Sequence, residues 1–170
     1  MGCDIHMYIE YKKEKSSSWV NFGGKLNPGR DYLMFAIISG VRDYGKEYTM
    51  FNPKGLPSDL GGFTNAENLI YISDEVCDCG AEVACTLKSA IEWEKYGQKI
   101  TYNQGKATWV THPDWHSHSY LSYDEYKQVV YKYYSFQDRI SKLEYKIVLD
   151  IMKSFIYNKC SVRIVFWFDN

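Results

Sequence analysis

Positions 3 to 11 alternate between apolar and polar residues: Cys3, Ile5, Met7, Ile9 and Tyr11 against Asp4, His6, Tyr8 and Glu10. A period of two marks a strand with one face in the core. The other face then carries Asp4 and His6 together, about 6.5–7 Å apart at Cα. A short second strand is expected over 19–22, beyond the polar turn at 12–18. At the far end, over 161–169, Val162, Ile164, Val165, Phe166, Trp167 and Phe168 are apolar on both faces, the pattern of a central strand. Arg163 interrupts it, and a charge in such a strand needs a partner or a ligand.

Helical signals fill the interval. Residues 30–39 read as a short apolar helix stopped by Gly40. From 41 to 63 no period persists through Val41-Arg42-Asp43, Pro53-Lys54-Gly55-Leu56-Pro57 and Gly61-Gly62, which predicts a long ordered loop or lid. A helix is expected over 81–96 and a short hairpin through Asn103-Gln104-Gly105. Ser122 with Glu125 three residues on forms a capping box that opens a helix to about 134. A second helix is expected from about 136 to 158, with Ile140, Leu143, Ile147, Ile151 and Phe155 on one stripe. There is no internal repeat and no linker. The expected fold is α+β: one compact domain over 1–170, a mostly antiparallel sheet holding the N- and C-terminal strands, packed by helices, with 64–110 inserted in it.

Composition narrows the function. A chain of 170 residues can bury about 70% of its unfolded surface. Sixteen tyrosines raise the aromatic share to 17%, which suits a core rim or a pocket that stacks purines. Twenty basic and twenty-one acidic residues give a net charge of −1, which argues against duplex nucleic acid as a partner but not against a small anionic ligand. No stretch approaches about 18 apolar residues, so no membrane span is expected. No leader pattern opens the chain, so export is not expected. The Met1-Gly2 start lacks the Ser or Thr that myristoylation wants where His6 stands. Five cysteines without secretory context point to reduced thiols in a cytosol. The C-x-C-x5-C spacing of Cys77, Cys79 and Cys85 lacks C-x2-C pairs and a fourth ligand, which argues against zinc.

Candidate chemistry concentrates in the four histidines. His6 follows Asp4 by two residues, and His112, His116 and His118 surround Asp114 in His112-Pro113-Asp114-Trp115-His116-Ser117-His118-Ser119. If 116–118 is extended, His116 and His118 share a face, as Asp4 and His6 do. Should the two segments meet, the imidazoles could exchange protons as acid and base, with Asp4 and Asp114 orienting them. Alternatively Asp4, His6, His116 and His118 could hold a divalent metal. His112 is assigned to the loop itself, since Asp114 and the serines are good turn formers. Arg30, Arg42, Lys54 and Arg163 are the candidates for binding an anion, Arg offering a planar fork for phosphate. Tyr32 and Trp115 are the aromatic candidates for contacting a base.

Five blocks together resemble a family: Met1-Gly2-Cys3-Asp4-Ile5-His6; Arg30-Asp31-Tyr32-Leu33-Met34-Phe35 running into Gly40-Val41-Arg42; Lys54-Gly55-Leu56-Pro57; Asp114-Trp115-His116-Ser117-His118-Ser119-Tyr120-Leu121; and Arg163-Ile164-Val165-Phe166-Trp167-Phe168-Asp169-Asn170. They look like the signature blocks of a family of small phage and prophage proteins. This chain departs from that pattern at Tyr120, where the family usually has Trp, and in the longer 64–110 segment. By analogy the resemblance implies a phage protein that counters bacterial immunity by cleaving or capturing a nucleotide signal in the cytoplasm of the infected host. The expected activity is hydrolysis of a cyclic nucleotide messenger at a phosphodiester bond by histidine acid–base chemistry, with no cofactor required. The rival readings are a sponge that sequesters the messenger unchanged and a metal-dependent hydrolase of another small substrate. The expected partner is a small nucleotide, without duplex nucleic acid or membrane, and a homo-oligomer stays open.

Overall fold

A computed structural model describes residues 2–16, 18–72, 86–95, 108–112, 114–136 and 142–169. Its elements run β1 (Ile5–Lys13), β2 (Val20–Leu26), α1 (Tyr32–Ser39), α2 (Gly62–Glu67), β3 (Leu69–Ile72), α3 (Leu87–Lys95), β4 (Thr108–Thr111), β5 (His116–Ser122), α4 (Tyr123–Tyr134), α5 (Leu143–Tyr157) and β6 (Cys160–Phe168). Contacts group them into two compact units, Met1–Thr64 with Ser117–Asn170, and Asn65–His116. The second unit covers nearly the span read as an insertion. Within it β3 pairs antiparallel with β4 from Leu69↔Thr111 to Ile72↔Thr108, and α3 supplies its helix. The expected hairpin at 103–105, the Cys77–Cys79–Cys85 reading and the ends of the 81–96 helix lie outside the described residues.

The first unit is α+β, a sheet in the order β2-β1-β6-β5 with helices on one face. Its centre is the antiparallel β1–β6 ladder, registered from Ile5↔Phe168 to Lys13↔Cys160. The alternation in β1 and the apolar run in β6 explain this register. It places Ile5, Met7 and Ile9 beside Val162, Ile164, Phe166 and Phe168 on the face that packs against α1, α4 and α5. β6 lies between β1 and β5 and is buried on both sides, as its two-sided apolar pattern predicts.

Helix ends follow local chemistry. Asp31 caps α1 by accepting from the Leu33 and Met34 amides, and Gly40 closes it in the left-handed region at φ 71°. Ser122 and Glu125 form the expected capping box on α4. Ser122→Ala removes that acceptor and should lower stability by about 1 kcal/mol, read as a drop of a few degrees in thermal midpoint; an unchanged midpoint would mean the cap contributes nothing.

α5 differs from expectation. It starts at Leu143 after Lys142, and residues 137–141, Ile140 included, lie outside the described residues. Its deeply buried stripe is Tyr145, Val148, Leu149 and Met152, whereas Leu143 and Ile147 are exposed. The helix carries two overlapping apolar stripes at helical spacing. Tyr145 decides between them, sending its hydroxyl to the Gly29 carbonyl at 3.1 Å. Ile151 and Phe155 keep partial contact with the core.

Candidate functional site

The polar face of β1 and the matching face of β6 meet around one indole. Trp167 is fully buried and lies opposite His6 in the ladder. Its ring stacks with Tyr8 at 5.0 Å, with His6 at 5.8 Å and 16°, and with His118 of β5 at 5.7 Å and 27°. Because β6 runs between β1 and β5, the indole stands between the two imidazoles. The opening strand and the histidine-rich segment therefore come to the same side chain, with an aromatic ring filling the space between them.

The carboxylate that holds His6 is Asp169, at 2.8 Å from Oδ2 to Nε2. Asp169 also accepts the Asp4 amide through Oδ1 at 2.8 Å and donates its own amide to the Asp4 carbonyl at 3.2 Å. Asp4, expected to orient His6, has its own partner. Its carboxylate takes a two-pronged bond from Arg30, 2.9 Å at Nε and 2.7 Å at Nη2, which holds the Asp4 carboxyl below the usual carboxylate range. Side chains two apart on a strand stand parallel rather than meeting, whereas a neighbouring strand brings its side chains within contact.

Ser117 adopts φ 52°, a left-handed turn that interrupts the regular extension expected to put His116 and His118 on one face. Asp114, Trp115 and His116 belong to the second unit. There the Asp114 amide donates to His112 Nδ1 at 3.1 Å, and the His112 ring stacks on Trp115 at 5.2 Å. Among the described residues no three His, Cys, Asp or Glu side chains form a set able to hold a metal ion.

Arg163 has the partner its strand position demanded, so its guanidinium is not presented to an anion. Nε donates to buried Glu10 at 2.8 Å, while Nη1 and Nη2 donate to the Asp59 carboxylate and carbonyl at 2.6 and 2.9 Å. The Trp19 ring lies 3.9 Å from it, and Glu10 also accepts the Gly61 amide at 2.9 Å. Arg163 thus pins the 59–61 loop to the sheet. Lys54 is engaged similarly, with Glu125 at 2.6 Å and the Tyr120 ring at 5.0 Å.

Two of the expected binding residues, Tyr32 and Arg42, instead line a cavity of about 380 Å³ floored by Leu33 and Ala36 of α1. Tyr44, Lys46, Tyr48 and Phe136 complete its wall. Arg42 lies 5.5 Å from the centre of the Tyr32 ring and donates to the Tyr44 hydroxyl at 3.2 Å. The Cys3 thiol is buried, and burial pushes it up. Asp43 also lines the cavity, its carboxylate engaged by the Tyr48 amide at 3.2 Å and the Thr49 hydroxyl at 2.9 Å, beside the cations Arg42 and Lys46. Arg42, Tyr44 and Glu47 all hold positive φ, at 62°, 51° and 57°. Three non-glycine residues in that region within one turn represent stored strain, which collects at ligand-binding loops. The missed residues Tyr44, Lys46 and Tyr48 carry a sequence signal, alternating rings and charges around Gly45 in Arg42-Asp43-Tyr44-Gly45-Lys46-Glu47-Tyr48. Phe136 and Asp169 carry none, because only the fold brings them in.

No family model, curated protein or solved structure matches the chain. Among the described residues no helix is long and apolar enough to cross a membrane.

Proposed function

We propose that the protein captures a small nucleotide in the Tyr32–Arg42 cavity and withholds it from its receptor. The observation that carries this reading is the wall itself: two cations and one hydrogen-bonded carboxylate, Asp43, among four aromatic rings around about 380 Å³, within the range of small-molecule sites at about 300–1,000 Å³. The rings would stack a base, while Arg42 offers a planar fork to phosphate. The resemblance to phage proteins supports a cyclic immune signal of the infected cell as the ligand. Arg42→Ala should weaken binding of such a nucleotide at least tenfold, matching about 1.5–3 kcal/mol for hydrogen bonds to a charged group. Calorimetry with a panel of cyclic di- and trinucleotides would measure it, and equal affinity in the variant would remove Arg42 from the site.

Hydrolysis is the second reading, favoured by the Asp169–His6 contact at 2.8 Å. A histidine fixed by a carboxylate can relay a proton while an arginine stabilises phosphoryl charge. The indole between His6 and His118 weighs against a two-histidine exchange at one phosphorus atom. Product chromatography separates the readings: ligand recovered intact after denaturation supports capture, whereas linear products that vanish in His6→Ala support cleavage.

A further inference from the structure

The α4–α5 hairpin shows a second, unconnected pattern. On α4, Tyr123, Lys127, Tyr131 and Tyr134 follow i, i+4, i+8, i+11, and on α5, Lys146, Asp150, Lys153 and Tyr157 follow i, i+4, i+7, i+11. Both spacings lie along one helical stripe. Between the two stripes runs a concavity of about 490 Å³. A second of about 300 Å³ shares Asp150 and Lys153 with it. Ser154 and Asn158 are shared in turn with a third of about 460 Å³ on the other flank of α5, lined by Tyr11, Lys13, Phe22 and Phe155.

We propose that these three adjoining concavities along and around α5 form a track for a short single-stranded oligonucleotide. Rings and cations alternate along it. Tyr131 and Tyr157 are 62% and 87% exposed, open for stacking, and Phe22 and Tyr11 are braced by Phe155 at 5.3 and 4.4 Å. The acid in the lining, Asp150, is bound to Lys146 at 2.8 Å, so Lys127, Lys153 and Lys13 set the local field. Stacking platforms beside phosphate-binding cations are the means by which proteins hold unpaired strands without reading sequence. A duplex keeps its base faces inside, so these rings would gain nothing from it. An acidic peptide would use the lysines and leave the recessed rings unfilled. The 15-residue α5 extends about 22 Å at 1.5 Å per residue, room for roughly four nucleotides, the low end of single-strand site sizes. Arg42 takes no part in this groove.

The test is fluorescence anisotropy of labelled oligo-dT and oligo-rU of increasing length against the full chain. Binding is expected for both sugars, with log affinity falling against log salt at a slope near −2, as about three phosphate contacts at about −0.7 each require. Lys127→Glu with Lys153→Glu should weaken it at least tenfold and flatten the slope. Tyr131→Ala with Tyr157→Ala should weaken it at least tenfold with the slope kept, while Arg42→Ala leaves it unchanged. Lys153, Tyr131 and Tyr157 are exposed and Lys127 is half-buried, and circular dichroism checks that the variants fold. The proposal is overturned by absence of binding at low salt, by binding indifferent to both double variants, by duplex binding equally well, or by polyglutamate displacing the oligonucleotide at equal charge.

Discussion

Arg163→Ala is expected to destabilise the protein by about 3–5 kcal/mol, because it leaves a buried carboxylate uncompensated. Glu10 is fully buried, and its two oxygens are met by Arg163 Nε at 2.8 Å and the Gly61 amide at 2.9 Å. Without the guanidinium the carboxylate must either stay charged in a poorly solvating site or take up a proton. Loss of the Asp59 contacts would also release the 59–61 loop and the Trp19 ring stacked on the cation. Exchanging both partners, Arg163→Met with Glu10→Leu, should recover much of the loss, since apolar packing avoids the desolvation cost. Denaturant titration would measure both variants, and a loss under about 1 kcal/mol in the single one would sink the argument.

The same cluster has a pH signature. Asp59 lies below the usual carboxylate range, first because of the Arg163 hydrogen bond and then that of Trp19. A depressed carboxyl stabilises the fold above its unfolded pKa of about 3.9 and loses that contribution as pH falls through the lower folded value. Stability of the wild type should therefore decline below about pH 4, and this part of the decline should be smaller in Arg163→Ala, where only the Trp19 hydrogen bond at 2.7 Å still favours the charged Asp59.

Trp167→Ala should cost a similar amount, about 3–5 kcal/mol, by a different cause. The indole is fully buried and touches His6, Tyr8 and His118 at centroid distances of 5.8, 5.0 and 5.7 Å. Its removal opens a cavity between three rings carried on the two strands that flank β6, which the sheet cannot close without breaking its ladder. Trp167→Phe keeps a stacking ring and should lose clearly less. Equilibrium unfolding distinguishes the two variants, and equal losses would show that aromatic contact at this position does not matter. Imidazole resonances of His6 and His118 should both shift in the alanine variant, since the indole ring current acts on both.

Much of the fold was legible because it rests on local rules. The alternation at 3–11, the two-sided apolar run before Asp169, the stop at Gly40 and the capping box at Ser122 each reflect interactions within a few residues. The α5 stripe was ambiguous for a related reason. Apolar residues satisfy two helical faces there, and the choice follows from what Tyr145 reaches on the 27–30 loop rather than from the helix itself.

The candidate site was less legible. Sequence proximity favoured Asp4 as the carboxylate for His6, but a strand keeps such neighbours parallel, and the ladder delivers Asp169 from 163 residues away. Arg163 was marked as needing a partner, and burial beside Glu10 supplies one, which removes it from the anion binders. Tyr32 and Arg42 were chosen one by one. Their common wall with Tyr44, Lys46 and Tyr48 needs a turn in which three non-glycine residues take positive φ, a conformation no propensity selects.

Residue order alone thus marked the β1 and β6 strands and the α1 and α4 helices with their ends, because hydrophobic period and capping act over one or two turns of chain. Which charge meets which, and whether a cation is left facing solvent, was decided when β1 and β6 zipped together and α1 closed against the 41–48 turn. Those contacts join residues far apart in the chain, and long-range register is set by collective burial that no short pattern encodes.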